Sequence, residues 1–223
     1  HATLSMGYPD NVINISGGTI NINNPTSNTT DMSPGSSGTY FSVLFGSDAK
    51  NVNITGGTFN INIPNANNAY VNSTVPFYNL NITGVNSARD LRVVQYTNPG
   101  TTSAPPTLAA QPLVVLNTLN INNNAVLNMT APNPDVNLYA GGNFIIASGG
   151  IYTPGTNTTI FNGTSPQTFD IQGTITGNLN NLTISNASIL TLNNTNASAP
   201  IIVNAALQLD NGCTLNDNGR ILE

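Results

Sequence analysis

Isoleucine alternates with asparagine in short bursts, and this period of two constrains the chain more than any other feature. In NVINISGGTININNP (11–25), the pairs Ile13/Ile15 and Ile20/Ile22 each flank a single asparagine. NVNITGGTFNINIP (51–64) repeats the pattern, with Gly17-Gly18 aligned on Gly56-Gly57. Shorter versions follow in LNITG (80–84), TLNINNNAVLNM (118–129) and NLTISNASILTLNN (181–194). A period of two sends successive side chains to opposite faces of a strand, so each burst has one apolar and one polar face. No window sustains a helical period, and Ala, Glu and Lys are too sparse to favour helices. The chain is expected to be all-β.

The strands are only about 3–6 residues long and recur irregularly, whereas those of a sandwich recur every 8–12 residues or so. A coil with three short faces per turn suits them better. The expected fold is a right-handed parallel β-helix, a β-solenoid with short strands and irregular loops. At about 20–25 residues per coil and about 4.8 Å between coils, the chain makes roughly nine coils in a rod about 40 Å long. Asparagine, at about 40 residues, has a mechanism in such a fold. It tolerates left-handed corners, and stacked amides donate to one neighbour and accept from the other, forming a ladder. Solvation of the outer strand face is its simpler role, and both are expected.

Two segments interrupt the rhythm. Residues 24–40 (NPTSNTTDMSPGSSGTY) read as a loop leaving the coil, and residues 97–112 (TNPGTTSAPPTLAAQP) as an insertion or linker. They divide the chain into N-terminal coils (1–96) and C-terminal coils (113–223), expected to form one continuous solenoid. Long loops often carry function, which makes these two the expected contact points. The absence of a polar cap after the last coil suggests a segment of a longer chain, since repeat arrays need caps.

The C-terminal half resembles a repeat of large Bacteroidota surface proteins. In TIFNGTSPQTFDIQG (159–173), Phe161, Gly163, Gln167 and Ile171 match its first part; Asn181, Leu182, Ile184, Leu190 and Leu192 match the second. Val203, Leu207, Leu209 and Gly212 match the third, and LYAGGNFIIASGG (138–150) is similar to the usual lead-in. The resemblance covers residues 138–219. It implies export across the outer membrane by the type IX system to the cell surface, and service as a stalk, adhesin or filament. The implied partners are further coils of the same chain and other surface proteins or glycans.

Charge narrows the chemistry. Only 6% of residues are charged, about a quarter of the usual share. Lys50, Arg89, Arg92 and Arg220 make no basic stripe, so nucleic acid is not expected. No apolar run approaches the roughly 20 residues of a membrane span. Cys213 stands alone, so no disulfide framework exists; it reads as a small packed hydrophobe or a turn residue. With His1 the one histidine, neither a zinc site nor a Ser–His–Asp arrangement is expected. Polysaccharide hydrolases of β-helical shape resemble one another in clustered aspartates, because one carboxyl donates a proton while another activates water or attacks. Here no two acidic residues are adjacent. Asp210 and Asp217 are the nearest approach to a pair, and turn aspartates commonly bond their own backbone. Arg89, Asp90 and Arg92 form the sole charge cluster, read as a local ion pair. No catalytic, metal or cofactor residue is assigned. The alternative is a carbohydrate-active or carbohydrate-binding β-helix whose site lies partly outside this segment.

Three further features bear on what the surface could bind. Tyr40, Phe41 and Phe45, and Tyr70, Phe77 and Tyr78, form aromatic clusters near loops; they would stack on sugars if exposed, though interior packing is the simpler expectation. Asn-x-Ser/Thr sequons at Asn14, Asn53, Asn81, Asn128 and Asn181 follow largely from composition. Flat Thr-x-Thr arrays of the ice-binding kind are represented by isolated cases such as Thr174-Ile175-Thr176.

Overall fold

In the computed structural model the chain is a parallel β-solenoid, described for residues 4–23, 41–63, 68–98, 104–130, 135–193 and 200–223. A narrow sheet stacks seven strands: Leu4–Met6, Val43–Phe45, Ala69–Ser73, Leu91–Val93, Val126–Asn128, Ile151–Thr153 and Thr174–Ile175. A broad sheet alternates with it along the chain. Its first four rungs are long single strands, Ile13–Asn23, Val52–Ile63, Phe77–Gly84 and Leu113–Ile121. Each later rung is a pair: Leu138–Ala140 with Phe144–Ile146, Thr158–Phe161 with Gln167–Ile171, Leu179–Ile184 with Ile189–Asn193, and Val203–Leu209 with Thr214–Asn216. Every strand pairing is parallel. Phe77–Gly84 pairs with Leu113–Ile121, so the sheet runs unbroken between the N- and C-terminal coils.

The broad sheet bends where the pairs part, giving the three faces per coil. Glycine makes this corner. A Cβ on Gly142 would lie 1.7 Å from the Asn117 carbonyl oxygen, and one on Gly163 would lie 2.4 Å from that of Gly141. Backbone passes directly over backbone there, so no side chain fits.

The rod is shorter than nine coils. Most rungs recur after 21–25 residues, as between Asn60 and Asn81 and between Asn143 and Thr168. Asn21 and Asn60, however, are 39 residues apart, and so are Asn79 and Thr118. These two long coils hold the 24–40 and 97–112 segments, and the broad sheet is eight rungs deep. Its height is about 34 Å at about 4.8 Å per rung.

The core fills the space between the faces. Ile22, Ile61, Ile82, Ile121, Ile146 and Ile171 stack in register, one per rung, all nearly inaccessible. Two residues earlier, Ile20, Phe59, Leu80, Leu119, Phe144, Phe169 and Leu192 form a second column. Phe144 and Phe169 stack with centroids 5.0 Å apart. β-Branched side chains suit such columns because each packs on its own kind above and below.

A second, smaller cluster lies outside the narrow sheet. Phe41, Leu44, Tyr70, Val94 and Tyr96 are buried there against Leu108, which pairs antiparallel with Tyr96. Asn72 donates its amide to the carbonyls of Leu108 and Ala109. Leu108 and Ala109 thus strap the described part of 97–112 to the narrow sheet. Residues 24–40, His1 and Tyr40 lie outside the described residues.

Candidate interaction surface

The outward positions of the broad sheet form a lattice. The first row runs Thr19, Thr58, Asn79, Thr118, Asn143, Thr168, Thr191 and Asn216, one residue per rung through all eight. The second runs Asn21, Asn60, Asn81 and Asn120, then Ile145, Asp170 and Asn193. A third begins Asn23, Asn62 and Thr83. Rows are two residues apart on each strand, about 6.6 Å, and residues in a row are about 4.8 Å apart.

The amides hold one another in place. Asn60 donates to Asn21 Oδ1 at 2.7 Å, and Asn81 donates to Asn60 Oδ1 at 2.9 Å. In the third row Asn62 donates to Asn23, and the Thr83 hydroxyl donates to Asn62. At the corner, Asn117 donates to Asn79 Oδ1 at 2.8 Å; farther along, Asn143 Oδ1 accepts the Thr168 N–H at 2.9 Å. An amide has two donors and an acceptor with two lone pairs, so each ladder bond leaves capacity facing solvent. Beside the first row lies a polar groove of about 240 Å³, lined by Asn117, Gly142, Asn143, Thr164 and Ser165.

The charged cluster is a clasp on the narrow sheet. Arg92 Nε donates to Asp90 Oδ1 at 2.7 Å, and Asn128 from the next rung donates to Asp90 Oδ2 at 2.8 Å. Asp90 is 9% exposed, more enclosed than a surface ion pair. One carboxylate oxygen is held within the coil and the other ties it to the next, which gives the cluster a structural task.

Other candidates are placed apart from any shared site. Asp217 accepts the N–H of Gly219, and Asp210 accepts from Gln208, so each serves its own turn. Cys213 is half-buried against the end of the core. Thr174 and Ile175 form the last strand of the narrow sheet and continue no array. Phe41, Phe45, Tyr70 and Phe77 are buried, and only Tyr78 is partly open. These four aromatics therefore build cores. Among the described residues, no group of three or more His, Cys, Asp or Glu is placed to hold a metal.

Arg220, one of four cations scattered along the sequence, is buried. It donates to the carbonyls of Ile171 at 3.2 Å and Asn193 at 3.0 Å, closing the C-terminal end of the interior beside a cavity of about 210 Å³. Burial lowers its pKa and Asp170 opposes that shift. No sequence signal marked it, because a lone arginine in a turn carries no pattern.

No known protein family, no curated protein and no solved structure matches the chain.

Proposed function

We propose that this chain is a structural and adhesive segment of a bacterial cell-surface protein, a stiff spacer whose outer face makes the contacts. The observation that carries this reading is the unbroken stack. Hydrogen-bonded rungs run the length of the solenoid, and an isoleucine column spans six of them. Amide ladders join the first rungs of the broad sheet while leaving polar capacity on its outer face. Such a body resists bending because every coil is bonded to the next across three faces.

The resemblance of residues 138–219 to Bacteroidota surface repeats supports a place outside the cell, reached by type IX export, as part of this proposal.

Labelling intact cells of the source organism with antibodies to this segment tests the reading. Labelling and protease removal before permeabilisation are expected. Signal that appears only after permeabilisation overturns it.

A further inference from the structure

We infer that the Asn/Thr lattice of the broad sheet is a binding face for an ordered, uncharged, N-acetylated β-linked polysaccharide. This deepens the adhesive reading by naming the class of surface that is gripped.

Three observations converge on that class. The first is periodicity. The ladder repeats at about 4.8 Å because amide N–H···O=C bonds between stacked groups set that distance. The same bond sets a similar distance in any polymer whose chains lie side by side joined through acetamido groups. The rod axis laid across such chains brings one rung to each chain, so a contact made by one Asn or Thr of the first row has a polar counterpart on each of the other rungs. The second is charge. The three rows carry one carboxylate, Asp170, and no cation among the described residues, which suits a neutral ligand and not an anionic one. The third is the corner groove of about 240 Å³ beside the first row, whose Asn117, Asn143, Thr164 and Ser165 offer donors and acceptors to a projecting acetamido group.

Preorganisation makes the lattice more than a wet surface. Asn21, Asn60 and Asn81 are fixed by their mutual bonds, so little rotamer entropy remains to be lost on binding. A second copy of the chain is a poorer occupant. The lattice measures about 34 Å by about 13 Å, near 450 Å², against the roughly 800 Å² per partner of a stable interface. It also has no aromatic anchor, where interface hot spots are rich in Trp, Tyr and Arg.

The test is retention of the purified chain on insoluble chitin, with crystalline cellulose as the amide-free comparison. The wild type is expected to bind chitin and to bind cellulose at least tenfold more weakly. Asn60→Val with Asn81→Val removes two ladder amides while keeping strand propensity, and Asn117→Lys puts a charge at the groove from an exposed position. Either is expected to weaken chitin binding at least tenfold, with circular dichroism unchanged for at least the second. Thr183→Val, on the neighbouring outer face, is expected to bind as the wild type does. Absence of chitin binding, equal retention on cellulose, or indifference to both lattice variants overturns the inference. Inhibition of ice growth without chitin binding also overturns it, assigning the lattice to ordered water. None of these failures touches the stalk reading, which the cell-labelling experiment decides separately.

Discussion

The side-chain oxygen of Gln167 accepts the backbone N–H of Gly163 at 2.9 Å, and this one bond explains the Gly-x-x-x-Gln spacing. The same side chain donates to the carbonyls of Ala140 and Gly142, both at 2.7 Å, and accepts the Ser188 hydroxyl at 2.9 Å. Three rungs are thus tied by a residue that is 2% exposed. Substituting Gln167 with Leu leaves those backbone groups without their partner, at about 1–3 kcal/mol per buried group. We expect Gln167→Leu to destabilise by about 3 kcal/mol in urea unfolding. Gln167→Glu, which replaces donors with a carboxylate facing two carbonyls, is expected to cost more at neutral pH.

Two glycines of similar appearance in sequence should behave oppositely. Gly142 leaves 1.7 Å for a Cβ before the Asn117 carbonyl, while Gly17 has nothing within 4 Å. Gly142→Ala is expected to lower stability by more than about 3 kcal/mol, because backbone must move. Gly17→Ala is expected to change it by less than about 0.5 kcal/mol. Thermal melts of the two variants, side by side, check this.

Ile121 sits mid-column, fully buried between Ile82 and Ile146. Ile121→Ala opens a cavity that the stacked rungs cannot close, and about 2–5 kcal/mol of destabilisation is expected. The loss should appear as faster hydrogen exchange in the adjoining rungs before the distant ones, because repeats are coupled mainly to their neighbours.

Tyr152 links pH to stability. Its phenol is buried and bonded to the Thr159 hydroxyl at 2.9 Å; desolvation raises its pKa strongly, and the Thr159 bond offsets part of the rise. The unfolded value is about 10. Below that pH both states hold the proton and this group contributes no pH dependence. Above it the unfolded chain ionises first, so stability falls as pH rises. Tyr96 acts in the same sense, raised by burial and by Tyr8. Denaturant titrations between pH 9 and about 11.5 should show the fall, and Tyr152→Phe should reduce its slope. An unchanged slope would assign the alkaline loss to other groups.

Much of this was legible in the chain. Period-two alternation specified strands with an inner and an outer face, because side chains on extended backbone must alternate. The irregular spacing of the strands pointed to coils, and the abundance of asparagine pointed to ladders. The expected strand length of about 3–6 residues was too short for the first four rungs of the broad sheet, which run 8–12 residues because each continues through the corner as one strand. The two strands that carry Gly17-Gly18 and Gly56-Gly57 do stack, Ile15 on Ile54 and Thr19 on Thr58, but the register shifts between these pairs and sets Ser16 rather than Gly17 against Gly56. The Phe-x-Gly-x-x-x-Gln motif was recognised as a pattern without its reason, which lies in carbonyls of the previous coil.

What no pattern disclosed was which coil lies on which. Register depends on loop length, and loops here stretch one spacing from 21 residues to 39. Loop closure costs little more for a longer loop, so the spacing is free to vary while the rungs stay aligned. Thr118, Asn143, Thr168 and Thr191 therefore look unrelated along the chain, and the lattice they share was missed. The aromatic clusters were undecidable for a similar reason: Phe45 faces the inner core, whereas Phe41 faces outward and is buried only because residues near Leu108 return to cover it. The sequence by itself determined strand, face and ladder-forming residue, all consequences of local backbone geometry. The tertiary structure decided the stacking, and with it the Asn/Thr surface of the broad sheet, because which coil lies on which depends on loops that leave no local pattern.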